Sequence, residues 1–175
     1  MVDLSATVTP PAGANWTSTP ATFKDSARRN RRSPFEPVGN MALDDWEEIR
    51  FFAVGPVSGQ RTEGRLAFDT DQKGLRFLWG SPDNDNRVSF YHDGMRLETV
   101  MRSDGAGMPR GRGAALVEVT DIAGGWFDEV RFERGGTTFE FASISATPVP
   151  LPAAGWMLLG GLAALGAMGR RRGTA

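Results

Sequence analysis

From about residue 48 the chain falls into short runs in which apolar and polar residues alternate, and this period of two admits strands and excludes helices. Ile49, Phe51 and Ala53 share one face, and Leu66 and Phe68 share another after the turn region at Gly59. Leu75, Phe77 and Trp79 follow, then Val88 and Phe90, then Met95, Leu97 and Thr99. Ala115, Val117 and Val119, then Val130 and Phe132, then Phe139 and Phe141 complete eight predicted strands. Turn residues separate the runs, with Asp93-Gly94 and Gly135-Gly136 placed where two-residue hairpin turns need positive φ. No amphipathic helix of useful length lies between them, so the expectation is an antiparallel β-sandwich or jelly roll over residues 34–146.

The outward positions of these strands carry Arg65, Arg76, Arg96, Glu98, Glu118, Glu129, Arg131, Glu133 and Glu140, which cross-strand ion pairs on a solvated face account for. Residues 1–33 show neither period, and their mix of Ser, Thr, Ala, Pro and Arg predicts a flexible N-terminal arm. Its arginines lack interleaved aromatics and read as a solvated charge cluster rather than a phosphate-binding patch. Asn15-Trp16-Thr17 fits the glycosylation acceptor pattern, which so short a motif often meets by chance.

The net charge of −1 conceals a layout. Lys24, Arg28, Arg29, Arg31 and Arg32 against Asp3 and Asp25 leave residues 1–32 at +3; residues 33–152 sum to −7, and Arg170, Arg171 and Arg172 return +3. A nucleic-acid binder would need a clear basic excess, and the domain has the opposite. With 0 Cys and 1 His, disulfide scaffolds, thiolate zinc sites, cysteine nucleophiles and paired-histidine metal sites are excluded.

Past Ser145 the alternation stops. Residues 147–152, Thr-Pro-Val-Pro-Leu-Pro, predict an exposed extended linker, because three prolines bar helix and sheet interior alike. Residues 153–169 carry no charge and run through Ala153, Trp156, Leu158, Leu159, Leu162, Leu165 and Gly169. As a helix they would reach about 26 Å, just enough for a hydrocarbon layer of roughly 30 Å. The expectation is one C-terminal transmembrane helix. Arg170, Arg171 and Arg172 then mark the cytoplasmic side, in a basic tail over residues 170–175.

Val149, Pro150, Leu151, Pro152 and Ala153, followed by the Trp-containing Gly/Ala/Leu segment and the arginine cluster, resemble the VPLPA variant of the PEP-CTERM sorting domain. The resemblance covers residues 149–172. It implies handling by exosortase, a membrane-embedded protease/transpeptidase of Gram-negative bacteria, which cuts near the proline motif and delivers the ectodomain to the cell surface or beyond. It also implies transient anchoring in the inner membrane and a setting of exopolysaccharide or biofilm matrix. This chain would be the substrate, with no catalytic residue of its own. The stretch from Leu78-Trp79-Gly80-Ser81 through Phe90-Tyr91 is similar to one in exosortase-dependent surface proteins, as is the closing hairpin from Phe127 to Phe141. Export needs a signal peptide, and the first eight residues have neither a basic start nor an apolar core, so the true start is expected upstream of Met1.

Candidate chemistry in the ectodomain is sparse. Asp83, Asp85 and Asn86 could give Ca²⁺ oxygen ligands, but Asp and Asn are also ordinary turn formers and the spacing misses the twelve-residue calcium loop. Tyr91 and Trp126 could offer flat faces to sugars, whereas Trp79 is in phase with Leu75 and Phe77 and belongs to the core. His92 lacks a partner histidine or serine motif and reads as structural. The glycine-rich stretch 105–113 lacks the Gly-Lys-Ser/Thr ending of a phosphate loop. The expected function is that of a non-enzymatic exported surface or matrix protein, without a cofactor unless Ca²⁺ binds. A carbohydrate-binding module and, less favoured, a glycosidase using two strand carboxylates are the alternatives.

Overall fold

The structure is a computed structural model describing residues 8–24, 31–36, 49–55, 62–105, 107–108 and 113–150. Nine antiparallel strands build it: β1 (Ala14–Ser18), β2 (Ala21–Phe23), β3 (Phe51–Val54), β4 (Glu63–Gly80), β5 (Arg87–His92), β6 (Met95–Met101), β7 (Ala114–Val119), β8 (Phe127–Glu133) and β9 (Phe139–Pro148). The two predicted runs around Leu66 and Leu75 are one continuous strand of 18 residues. Its first half pairs with β1 and β8, its second with β7 and β9, and the register breaks between Ala67 and Gln72. At Gln72 the strand faces Phe127 of β8 and Pro148 of β9 together. Here β4 turns the corner between the layers. One layer runs β1-β4-β8-β5-β6, the other β2-β3-β9-β4-β7.

The inward faces meet in one core of Leu66, Phe77, Trp79, Val88, Phe90, Val117, Phe127, Val130, Phe132, Phe139 and Phe141, all 4% exposed or less. The alternation assigns the core faces of β4, β5, β7, β8 and β9 correctly, and Trp79 is fully buried as expected; in β3 it picks the wrong face, because Phe52 and Val54 enter the core while Phe51 and Ala53 lie on the outer side in a second apolar cluster. At roughly 25 cal/mol per Å² of apolar surface removed from water, such a phenylalanine-rich interior is the main stabilising term. The Asp93-Gly94 hairpin is also as expected: φ is +50° and +75°, joining His92 to Met95 in register.

Four further expectations need correction. Among the described residues the fold is all-β and no helix is long and apolar enough to cross a membrane, so the expected transmembrane helix has no counterpart there; residues 153–169 lie outside the described residues. The arm assigned to residues 1–33 supplies two strands, because Ala14 and Trp16 bring apolar side chains to the β4 edge and Phe23 aligns with Phe51. Gly135-Gly136 is not a hairpin turn. The strands on either side belong to different layers, β8 with β4 and β5, and β9 with β3 and β4.

The fourth concerns the outer face of the second layer. Residues 31–36 lie across it as a strap, with Phe35 in a second apolar cluster with Phe51, Ala53 and Ala142. A Cβ on Gly80 would stand 2.8 Å from Pro34 Cγ, so the strap seats only because Gly80 has no side chain. Glu140, expected on a solvated face, is buried there at 2% exposure.

Candidate functional site

The corner of β4 gathers several of the singled-out residues at one end of the sandwich. Asp71 lies in the corner itself, and its carboxylate Oδ1 stands 3.4 Å from His92 Nε2 at the end of β5. His92 Nδ1 lies 3.6 Å from Asp93 Oδ2 in the hairpin turn. The backbone N–H of Asp93 donates to Asp128 Oδ2 at 2.9 Å, which ties the turn to the start of β8. Trp126, immediately before β8, is 47% exposed. Its loop is set by Gly124 and Gly125, both at positive φ, and by the N–H of Ala123 donating to Glu98 Oε2 at 2.8 Å. A turn of this kind holds an aromatic out in solvent although it sits next to a strand whose first residue, Phe127, is wholly buried.

Tyr91 pairs with Glu129 in register, and the Arg131 guanidinium lies 3.8 Å over its ring. Arg131 is itself held by Glu129 Oε1 at 2.6 Å from Nε. One face of Tyr91 is therefore covered by a cation, and of the two aromatics named from the sequence Trp126 is the open one. The corner end combines an exposed indole with the carboxylates of Asp71, Asp93 and Asp128 and one imidazole. That inventory can stack on and hydrogen-bond a hydroxyl-rich ligand.

The same corner is where the C-terminal strand ends. β9 runs on to Pro148, two residues into the expected linker, and the Val149 N–H donates to the Asp71 carbonyl at 2.9 Å. A proline fits there because it ends the ladder and has no N–H to satisfy. Pro150 is exposed. Leu151, Pro152 and Ala153 of the sorting motif, and Trp156, Leu158, Leu159, Leu162, Leu165, Gly169, Arg170, Arg171 and Arg172, lie outside the described residues.

The 81–86 loop stands at the other end of the β4–β9 pair. Asp85 Oδ2 accepts from the backbone N–H groups of Gly136 and, at 3.2 Å, Thr137, while Oδ1 accepts from the Thr137 hydroxyl at 2.9 Å. Partial burial pushes the Asp85 carboxyl up, and these donors more than offset it, so it titrates below the ordinary range. Asn86 is fully buried, donating to Thr138 O at 3.0 Å and accepting from Gly135 N at 3.3 Å. Asn84 Oδ1 accepts from Arg102 Nε at 2.8 Å. Of the oxygens suggested as calcium ligands, those of Asp85 and Asn86 are thus engaged in clasping two loops while Asp83 has no part in the clasp, and among the described residues no group of three His, Cys, Asp or Glu side chains is arranged to hold a metal.

Glu140 is the residue that sequence reasoning missed. Its Oε1 accepts the Arg32 N–H at 2.9 Å, and its Oε2 is buried without a hydrogen-bond partner among the described residues. Burial pushes its carboxyl up to about 8; the Arg32 N–H, its own backbone N–H and Arg31 pull down, and Asp83 adds to the rise. Between Phe139 and Phe141 it reads as an ordinary outward position. The available signal was Ser33-Pro34-Phe35, a compact apolar tag closing an otherwise polar arm.

No protein-family model and no curated protein matches the chain.

Proposed function

We propose that the chain is a non-enzymatic exported surface protein whose C-terminal VPLPA-type motif is a substrate of exosortase. The observation that carries this reading is the motif's position relative to the fold. Among the described residues the last sheet-type hydrogen bond of the C-terminal strand is made by Val149, and the exposed Pro150 follows at once. A protease acting near Val149, Pro150, Leu151, Pro152 and Ala153 would separate the arginine cluster from a sandwich whose described strands all precede the cut. Mass spectrometry of the mature protein from a Gram-negative host with and without exosortase tests it. The expected result is a terminus near the proline motif only when the enzyme is present; a terminus retaining Arg170, Arg171 and Arg172 in both hosts overturns the reading.

A second reading, carbohydrate contact by the delivered domain, draws on the exposed indole of Trp126 beside the corner carboxylates. Sugars present C–H faces to such rings and hydroxyls to such acceptors. Glycan-array binding by the full chain tests it, and polysaccharide turnover abolished by a single carboxylate substitution would instead favour a glycosidase.

A further inference from the structure

The strap over residues 31–36 lies on a carboxyl group that the fold does not provide for as an ion. Glu140 is 2% exposed, on the outer face of β9 opposite Gly80 of β4 and Ala53 of β3. Neither neighbour contributes a polar side chain. The charges that act on it come from the strap and one loop: Arg31, whose guanidinium lies 3.5 Å over the Phe23 ring, and Asp83 of the 81–86 loop; the other charged groups of the strap, Arg32 and Glu36, stand 3.5 Å from each other, Nε to Oε2. Arg31 favours the ionised carboxyl and Asp83 opposes it, so neither charge decides the outcome; burial and the unpartnered Oε2 do.

A protonated Glu140 suits the closed strap, since it accepts the Arg32 N–H while bearing no charge. An ionised one leaves a buried carboxylate with an oxygen unsolvated, and hydrating it requires that the strap lift. We propose that the 31–36 strap is a pH-operated cover, held closed by protonated Glu140 and increasingly opened as that carboxyl becomes ionised, exposing the apolar outer face formed by Phe51, Ala53, Leu78 and Ala142. The direction follows from linkage. The open strap returns Glu140 to water and to an ordinary carboxyl affinity near 4.5, whereas the closed strap holds it near 8. The open form binds fewer protons throughout that interval, so opening grows with pH across it and levels above it.

Hydrogen exchange of the Arg32 amide in the full chain, expressed as a protection factor so that the base catalysis of exchange is removed, reads the opening directly. Protection should fall about tenfold per pH unit between pH 5 and 7.5 and level above about pH 8. The amides of Leu66 and Val130 in the core should hold theirs, and E140Q should make Arg32 protection independent of pH. A flat wild-type profile overturns the proposal, as does a parallel loss in the core, which would be global unfolding, or an unchanged slope in E140Q. Should E140Q fail to fold, the wild-type break near pH 8 with a constant core decides alone.

Discussion

Phe132 of β8 and Phe141 of β9 stack face to face across the sandwich, with centroids 4.1 Å apart and planes 8° from parallel. Phe77 and Phe139 meet the edges of the same pair at 5.5 and 5.3 Å. These four rings come from the three strands that define both layers, so the stack joins them where no backbone hydrogen bond can. Phe132→Ala should cost about 3–5 kcal/mol in denaturant unfolding, and Phe132→Leu clearly less, because a smaller cavity is left in a fully buried site. A loss below about 1 kcal/mol for the alanine variant would mean that the layers are not held by this contact.

Glu140→Gln tests the energetic side of the strap. The folded carboxyl titrates at about 8 against 4.5 for the exposed group, so its contribution to stability is fully present below pH 4.5 and is lost as pH rises through 8. At about 1.4 kcal/mol per unit, the wild type should lose up to about 3 kcal/mol between pH 4.5 and 7 from this group. Glutamine keeps an acceptor for the Arg32 N–H and cannot ionise. Urea unfolding at pH 8 should therefore find E140Q more stable than wild type, with the difference shrinking towards pH 5; an equal midpoint at both pH values contradicts it.

Asp85 behaves with the opposite sign. Its carboxyl is held below the ordinary 3.8, so the stability it lends is present above pH 3.8 and disappears as the solution is acidified through its folded value. Asp85→Ala removes acceptors for Gly136 N, Thr137 N and the Thr137 hydroxyl, and because the side chain is solvent-facing the cost should be about 1 kcal/mol. Thermal melts at pH 7 and pH 3 check this, the difference between variant and wild type being smaller at the lower pH.

Two glycine substitutions separate two reasons for a glycine. Gly94 sits at φ +75° with open space around it, so Gly94→Ala should cost about 1 kcal/mol through backbone strain alone. Gly135 has no such φ, but a Cβ there would run into the Asp85 backbone carbonyl, and relieving the clash would pull apart the clasp between the 81–86 and 134–138 loops. Gly135→Ala should thus cost more than Gly94→Ala, and amide shifts in NMR spectra should spread to Asp85 and Asn86 only for the former.

The alternation of Phe77 with Trp79 and of Val130 with Phe132 is local information, and it was enough to assign those strands, their core faces and the Asp93-Gly94 turn; in β3, apolar on both faces, it could not tell Phe52 and Val54 from Phe51 and Ala53. What it could not carry is partnership. Nothing in the period of residues 66–79 says that two runs are one strand turning a corner, because the corner is defined by Phe127 and Pro148 meeting Gln72 from distant parts of the chain. Likewise Glu140 is polar between two phenylalanines in either environment. Whether it faces water depends on Pro34 and Phe35 arriving from over a hundred residues away against a glycine. The corner end was visible as Tyr91, His92 and Trp126 separately, while the cation over Tyr91 and the tie between Asp71 and Val149 are products of the pairing.

Trp126→Ala is the sharpest test of the carbohydrate reading. The indole is 47% exposed and makes no ring–ring contact with another aromatic among the described residues, so its removal should leave the unfolding midpoint within about 0.5 kcal/mol of wild type. A stacking platform, by contrast, carries a large share of the affinity in a shallow site, and truncating one costs more than 1 kcal/mol of binding. For a polysaccharide bound by the wild type on an array, calorimetry should show at least fivefold weaker binding by the variant. Tyr91→Phe, which keeps the ring beneath Arg131, should bind as wild type does. If Trp126→Ala binds unchanged while Tyr91→Phe is impaired, the contact lies on the β8–β5 face around Arg131 and not at the corner.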